Sequence, residues 1–114
     1  MQYYIELCGN PDYLAVHVDT LITHHVDISN FYSSEYAQDE QKALIDDIFS
    51  VQGVESVHFK RYEAVIVRGM LFDREKIGHA VASILHKHID PQGEITHVTS
   101  MPEYESKTDD KEIV

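Results

Sequence analysis

Ala64-Val65-Ile66-Val67-Arg68-Gly69-Met70-Leu71-Phe72-Asp73-Arg74-Glu75-Lys76-Ile77-Gly78-His79-Ala80-Val81-Ala82-Ser83-Ile84-Leu85 changes periodicity once along its length. Its first five residues are apolar on both faces up to Arg68, the pattern of a strand buried centrally in a sheet. Gly69–Phe72 then reads as a loop, and Asp73 is a good N-cap because its carboxylate can accept from free amides of the first helical turn. Ile77, Ala80, Val81, Ile84, Leu85 and His88 follow at i, i+3, i+4, i+7, i+8 and i+11, which is one face of a helix. Asp90-Pro91-Gln92-Gly93 ends it, since proline cannot continue the hydrogen-bond ladder.

The same logic extends toward the N-terminus. Leu44, Ile45, Ile48 and Phe49 form the apolar stripe of another helix, expected from about Ser34, with Glu35, Asp39 and Glu40 at its positive end. Gly53 stands where a left-handed residue follows the C-cap. Val54–Lys60 reads as a strand joined to Ala64–Arg68 through Arg61-Tyr62-Glu63. Gln2–Cys8 and Tyr13–Asp19 read as strands paired across the Asn10-Pro11-Asp12 turn. Thr20–Ile28 has strand-like composition and Ser29–Ser34 reads as a loop. Toward the other end, Glu94–Met101 reads as a last strand. The expectation is an α+β fold of order ββαββαβ: an antiparallel sheet with two helices packed on one face, ferredoxin-like with an extra N-terminal strand. Residues 1–102 form a single domain on this reading, and 103–114 a disordered acidic tail.

The 114 residues leave no room for a second core, and 43% apolar content suffices for one. At this size stability is modest unless the chain oligomerises, so a homodimer is compatible with the composition. A formal net charge of −11 argues against nucleic acid and against an anionic membrane surface. Residues 1–57 hold ten acids and one base, Lys42, a net −9, leaving −2 for the remainder. Six of the nine basic residues (Lys60, Arg61, Arg68, Arg74, Lys76 and Lys87) fall between 60 and 87, which reads as solubility with local charge balance. No secretory leader pattern opens the chain, and no apolar run approaches the roughly 18–20 residues of a bilayer span, so a cytoplasmic location is expected.

Catalytic groupings are absent from the pattern. Cys8, the lone cysteine, sits in an expected strand without a local activating group and reads as a buried structural thiol. The five glycines are isolated, and none builds a phosphate loop. Asp39-Glu40 and Asp46-Asp47 are neighbours on a helix and diverge by about 100°, so neither pair makes an acid–base dyad. The eight histidines are the unusual feature. His24-His25 with Asp27 offers ligands from an irregular segment, whereas His86 and His88 are two apart on a helix and point in different directions. His17, His58 and His97 fall on expected strands and can converge only through the sheet. No residue is assigned as catalytic, cofactor-binding or metal-ligating, and no cofactor is expected. The loop Gly69-Met70-Leu71-Phe72 is an apolar cluster before a helix, either packed over the sheet edge or an interaction surface.

Ala43-Leu44-Ile45-Asp46-Asp47-Ile48-Phe49-Ser50-Val51-Gln52-Gly53-Val54-Glu55-Ser56-Val57-His58-Phe59 is similar to the central segment of the N-terminal domain of Nfu-type iron–sulfur scaffold proteins. There an apolar helix ends in Gly-Val, Ser-Val-x-Phe follows, and a strand like Val65-Ile66-Val67 leads to a further helix. Asn10-Pro11 resembles the family's N-terminal turn, and the likeness spans residues 5–89. The helix lacks the tryptophan common in the family, with Phe72 as a stand-in. The cluster-holding Cys-x-x-Cys belongs to a separate domain of those scaffolds and is absent here. The resemblance therefore implies a non-enzymatic accessory module that contacts another protein, linked to iron–sulfur assembly, and it carries over no catalytic residues. A ligand- or metal-responsive module on a ferredoxin-like scaffold is the alternative that the histidines motivate.

Overall fold

The computed structural model describes residues 1–23, 29–31 and 39–100, the side chains at 29, 30, 39 and 40 excepted. Its elements are β1 (Gln2–Leu7), β2 (Tyr13–Val18), β3 (Ser29–Phe31), α1 (Asp39–Phe49), β4 (Val54–Lys60), β5 (Glu63–Arg68), α2 (Arg74–Ile89) and β6 (Thr96–His97). The strands form one sheet in the order β3-β4-β5-β2-β1-β6. All pairings are antiparallel except β1 with β6. The protein is thus α+β with a mixed sheet, and the expectation of a purely antiparallel one is corrected at its outer edge. That departure is topological: β6 runs parallel to β1, pairing Gln2 with Thr96 and Tyr3 with His97.

Two further boundaries differ from expectation. Ser29–Phe31, expected in a loop, is a strand pairing with Phe59, His58 and Val57. Phe31 holds it there, buried edge-to-face against Phe59 with ring centroids 6.0 Å apart. Among the described residues of the expected last strand Glu94–Met101, Thr96–His97 alone is a strand, and Met101 lies outside the described residues. The expected helix start near Ser34, the pair His24-His25, Asp27 and the tail 103–114 lie outside the described residues.

Strand alternation divides the sheet into two faces. Tyr3, Leu14, Val16, Val18, Val57, Phe59, Ala64 and Ile66 turn toward the helices and join Leu44, Ile45, Ile48, Ile77, Val81 and Leu85 in one core. As its two-sided apolar pattern requires, β5 is central, lying between β4 and β2. The α2 stripe is rotated from the expected one, since Gly78 and Ala82 are buried beside Ile77, Val81 and Leu85. Gly78 lets the helix approach β1 so closely that a Cβ there would lie 2.9 Å from Ile5 Cδ1.

The local signals hold where expected. The Asp73 carboxylate accepts from the amides of Glu75 (2.8 Å) and Lys76 (3.2 Å), capping α2. Gly53 adopts φ +100°, open to glycine and costly for other residues. The Asn10 side chain accepts from the Asp12 amide at 3.0 Å, tightening the β1–β2 turn. At the opposite end, Asp90 pairs with the Met1 amino group at 2.8 Å. This ammonium hydrogen bond holds the Asp90 carboxyl below the usual carboxylate range.

Candidate functional site

At the end of β5 the chain turns sharply through Gly69–Phe72, and Arg68 organises the turn. Its Nε donates to the Pro11 carbonyl (2.8 Å), and its Nη1 donates to the carbonyls of Met70 (2.9 Å) and Phe72 (2.6 Å). The Gly69 amide donates to the Gly53 carbonyl (2.8 Å), and the Phe72 amide to that of Gly69 (3.2 Å). Phe72 folds inward over Gly53, where an added Cβ would lie 2.6 Å from its Cγ. With Phe72 turned in and the carbonyls gathered, Met70 and Leu71 are left 82% and 95% exposed. Arg74 clamps the facing hairpin by donating to the carbonyls of Cys8 (3.0 Å) and Tyr13 (3.2 Å). Leu7 and Tyr13, both also exposed, flank this end of the sheet. The Gly69–Phe72 segment is therefore an apolar tip, and only its Phe72 packs against the core.

The sheet face turned away from the helices carries a different chemistry. His17 in β2 lies opposite Tyr4 of β1 and Glu63 of β5. Glu6, two residues on from Tyr4, shares its face. His17 Nε2 is 2.8 Å from Glu6 Oε1 and 3.5 Å from Glu63 Oε2. The Tyr4 ring stacks on the imidazole at a centroid distance of 5.9 Å. Glu63 turns its other oxygen to Lys60 Nζ at 3.2 Å. His17 is only 3% exposed although its neighbours are charged.

A third feature is a cleft of about 260 Å³ beside β1, lined by Tyr4, Ile5, Glu75, His79, His97 and Val98 among others. The Tyr3 hydroxyl lies 2.7 Å from His79 Nδ1. The rings of His79 and His97 meet edge-on at 4.9 Å.

The three strand histidines do not converge. His17 and His58 share the face away from the helices, with β5 between their strands, whereas His97 packs on Tyr3 and His79 on the helix side. Burial first, then Lys60, pushes the His58 imidazole below its ordinary value. His86 and His88 separate as their spacing requires: His86 Nε2 meets the Gly93 carbonyl at 2.7 Å, and His88 Nε2 meets Asp47 at 2.6 Å. Asp47 also faces Lys87 at 3.4 Å, so it ties α1 to α2, while Asp46 approaches Lys42 at 3.9 Å. Cys8 is half-buried instead of buried. Burial, then Glu6 and Glu63, raise its thiol and keep it protonated. Glu6, Glu63 and His79 were not singled out by the sequence, since their neighbours in space come from other elements.

No protein-family model and no curated protein matches the chain. Among solved structures, the crystal structure of protein SAV1430 from Staphylococcus aureus superposes with a TM-score of 0.60 at 18% identity, covering 74% of this chain and 98% of that one. The solution structure of SeR13 from Staphylococcus epidermidis aligns with a TM-score of 0.48 at 14% identity, over 73% of this chain and 92% of that one. The likeness to SAV1430 is one of fold. No helix among the described residues is long and apolar enough to cross a membrane.

Proposed function

We propose that this protein is a non-enzymatic, protein-contacting module that docks through the Gly69–Phe72 tip, with partners among the proteins of iron–sulfur cluster assembly. One observation carries the docking surface: a single guanidinium collects the Pro11, Met70 and Phe72 carbonyls while Met70 and Leu71 stay exposed. Apolar side chains on a fixed backbone lose little further chain entropy on docking and gain from burial.

The partner class rests on the similarity of residues 43–59 to the Nfu-type N-terminal domain. Both Gly53 and the inward Phe72 support that alignment, because the ring occupies the space the glycine leaves. The course of β2, α1, β4, β5 and α2 supports a ferredoxin-like scaffold elaborated by β1, which is laid between β2 and β6.

The test is affinity capture with the tagged full chain beside a Met70→Ser/Leu71→Ser variant. Iron–sulfur assembly proteins are expected with the first and lost with the second. Recovery of none, or equal recovery by both, overturns the proposal.

A further inference from the structure

We infer that Glu6, His17 and Glu63 form a binding site for a divalent first-row transition ion on the sheet face away from the helices. Their donor atoms all lie within 4.8 Å of one another. An ion about 2.0–2.2 Å from each donor holds the donors roughly 3.0–3.5 Å apart in tetrahedral or octahedral geometry. The observed 2.8 and 3.5 Å separations from His17 bracket that range, and the Glu6–Glu63 separation, within 4.8 Å, closes to it by rotation of the half-exposed Glu6 side chain.

Three adjacent strands fix the donors. His17 and Glu63 are directly opposite in the β2–β5 ladder, and Glu6 reaches the same point diagonally from β1. The stacked Tyr4 ring fixes the plane of the imidazole. The site is thus set by strand register and not by a mobile loop.

The donor set selects the ion. One imidazole nitrogen and two carboxylate oxygens suit zinc, manganese, cobalt or ferrous iron. Calcium and magnesium prefer all-oxygen shells, and thiolate-seeking cuprous ion finds no sulfur in the set. Three protein donors leave the remaining coordination positions to water.

Without the ion, Nε2 carries the proton of its hydrogen bond to Glu6. Binding through Nε2 moves the proton of the neutral ring to Nδ1, so the imidazole presents a lone pair to the ion without net proton release. Lys60 competes by holding the outer oxygen of Glu63. Its ammonium opposes a second cation nearby, which weakens binding.

The test is titration of the full, metal-stripped chain with Zn²⁺ by calorimetry and with Co²⁺ by visible absorption. One ion per chain is expected. Glu6→Gln and Glu63→Gln should each weaken binding by about tenfold or more. Lys60→Ala should tighten it, a response that a purely structural ion pair does not give. Glu6 lies at the half-exposed rim, so Glu6→Gln keeps the test valid even if a His17 variant misfolds. Variants of His24 with His25, and of His79 with His97, should bind as the wild type does. Absence of saturable uptake below about 100 µM, uptake unchanged in both glutamine variants, or uptake abolished by the His24/His25 change would each overturn the site.

Discussion

Replacing Arg68 with methionine keeps the aliphatic stem and removes the guanidinium that gathers the tip. Three short bonds disappear, to the carbonyls of Pro11, Met70 and Phe72. Hydrogen bonds from a charged donor contribute about 1.5–3 kcal/mol each when buried, and about half that where water can replace the donor. Two of the three are exposed, so the loss is about 3–6 kcal/mol in all. Urea titration should show a lower midpoint with an unchanged slope, because the surface exposed on unfolding is the same. Amide exchange at Gly69 and Phe72 should accelerate more than exchange in α2, since these amides close the turn. Arg68→Lys should recover little, because a single ammonium does not span carbonyls on two sides of the loop. A loss under about 1 kcal/mol with unaltered exchange at both amides would refute the reasoning. The tip would then be held by Phe72 packing and the Gly69 and Phe72 amide bonds without help from Arg68.

Other consequences follow from the packing. Gly53→Ala combines a φ of +100° with a Cβ 2.6 Å from the Phe72 ring, and should cost about 1–3 kcal/mol by urea titration. Gly78→Ala should destabilise the chain through the Ile5 contact even though alanine favours the helix by about 1 kcal/mol, and most of the loss should vanish in an Ile5→Ala background, read as a double-mutant cycle. The Asp47 carboxyl is held below its ordinary value chiefly by its hydrogen bond to His88. A depressed carboxyl stabilises the fold above the unfolded pKa of about 3.9, and that contribution fades as pH falls through the lower folded value. Asp47→Asn should therefore flatten the acid limb of stability against pH below about 4, and an unchanged acid limb would show that the pair contributes nothing.

Local chemistry in the sequence carried the elements well. The Asp73 cap, the Gly53 turn, the Asn10 turn and the Ile77–Leu85 stripe each depend on residues within a few positions of one another. Ser29–Phe31 escaped because a three-residue strand with one apolar side chain has no period to detect. Its order comes from Phe31 lying on Phe59, which is a tertiary contact. The parallel pairing of β1 with β6 escaped for a related reason: it joins the two ends of the described fold through a ladder of two residue pairs.

The same distinction separates the two sites. The exposed tip was visible as Gly69-Met70-Leu71-Phe72, an apolar run between strand and cap, although the role of Arg68 was not. The Glu6, His17 and Glu63 cluster needs the register of three strands, and its members are scattered among twenty acidic residues and eight histidines. Alternation alone places Tyr4 and Glu6 on one face. Only the pairing of His17 with Tyr4 and Glu63 shows which acids meet which imidazole.

On the proposed function, the tip is where this protein meets its partner. Amide chemical-shift mapping of the isotope-labelled chain with a captured assembly protein tests it directly. Perturbations centred on Leu7, Tyr13 and residues 68–74, abolished by Met70→Ser/Leu71→Ser, are the predicted result. Perturbations centred instead on the sheet face that bears Tyr4, His17 and His58, or none at saturating partner, would contradict it.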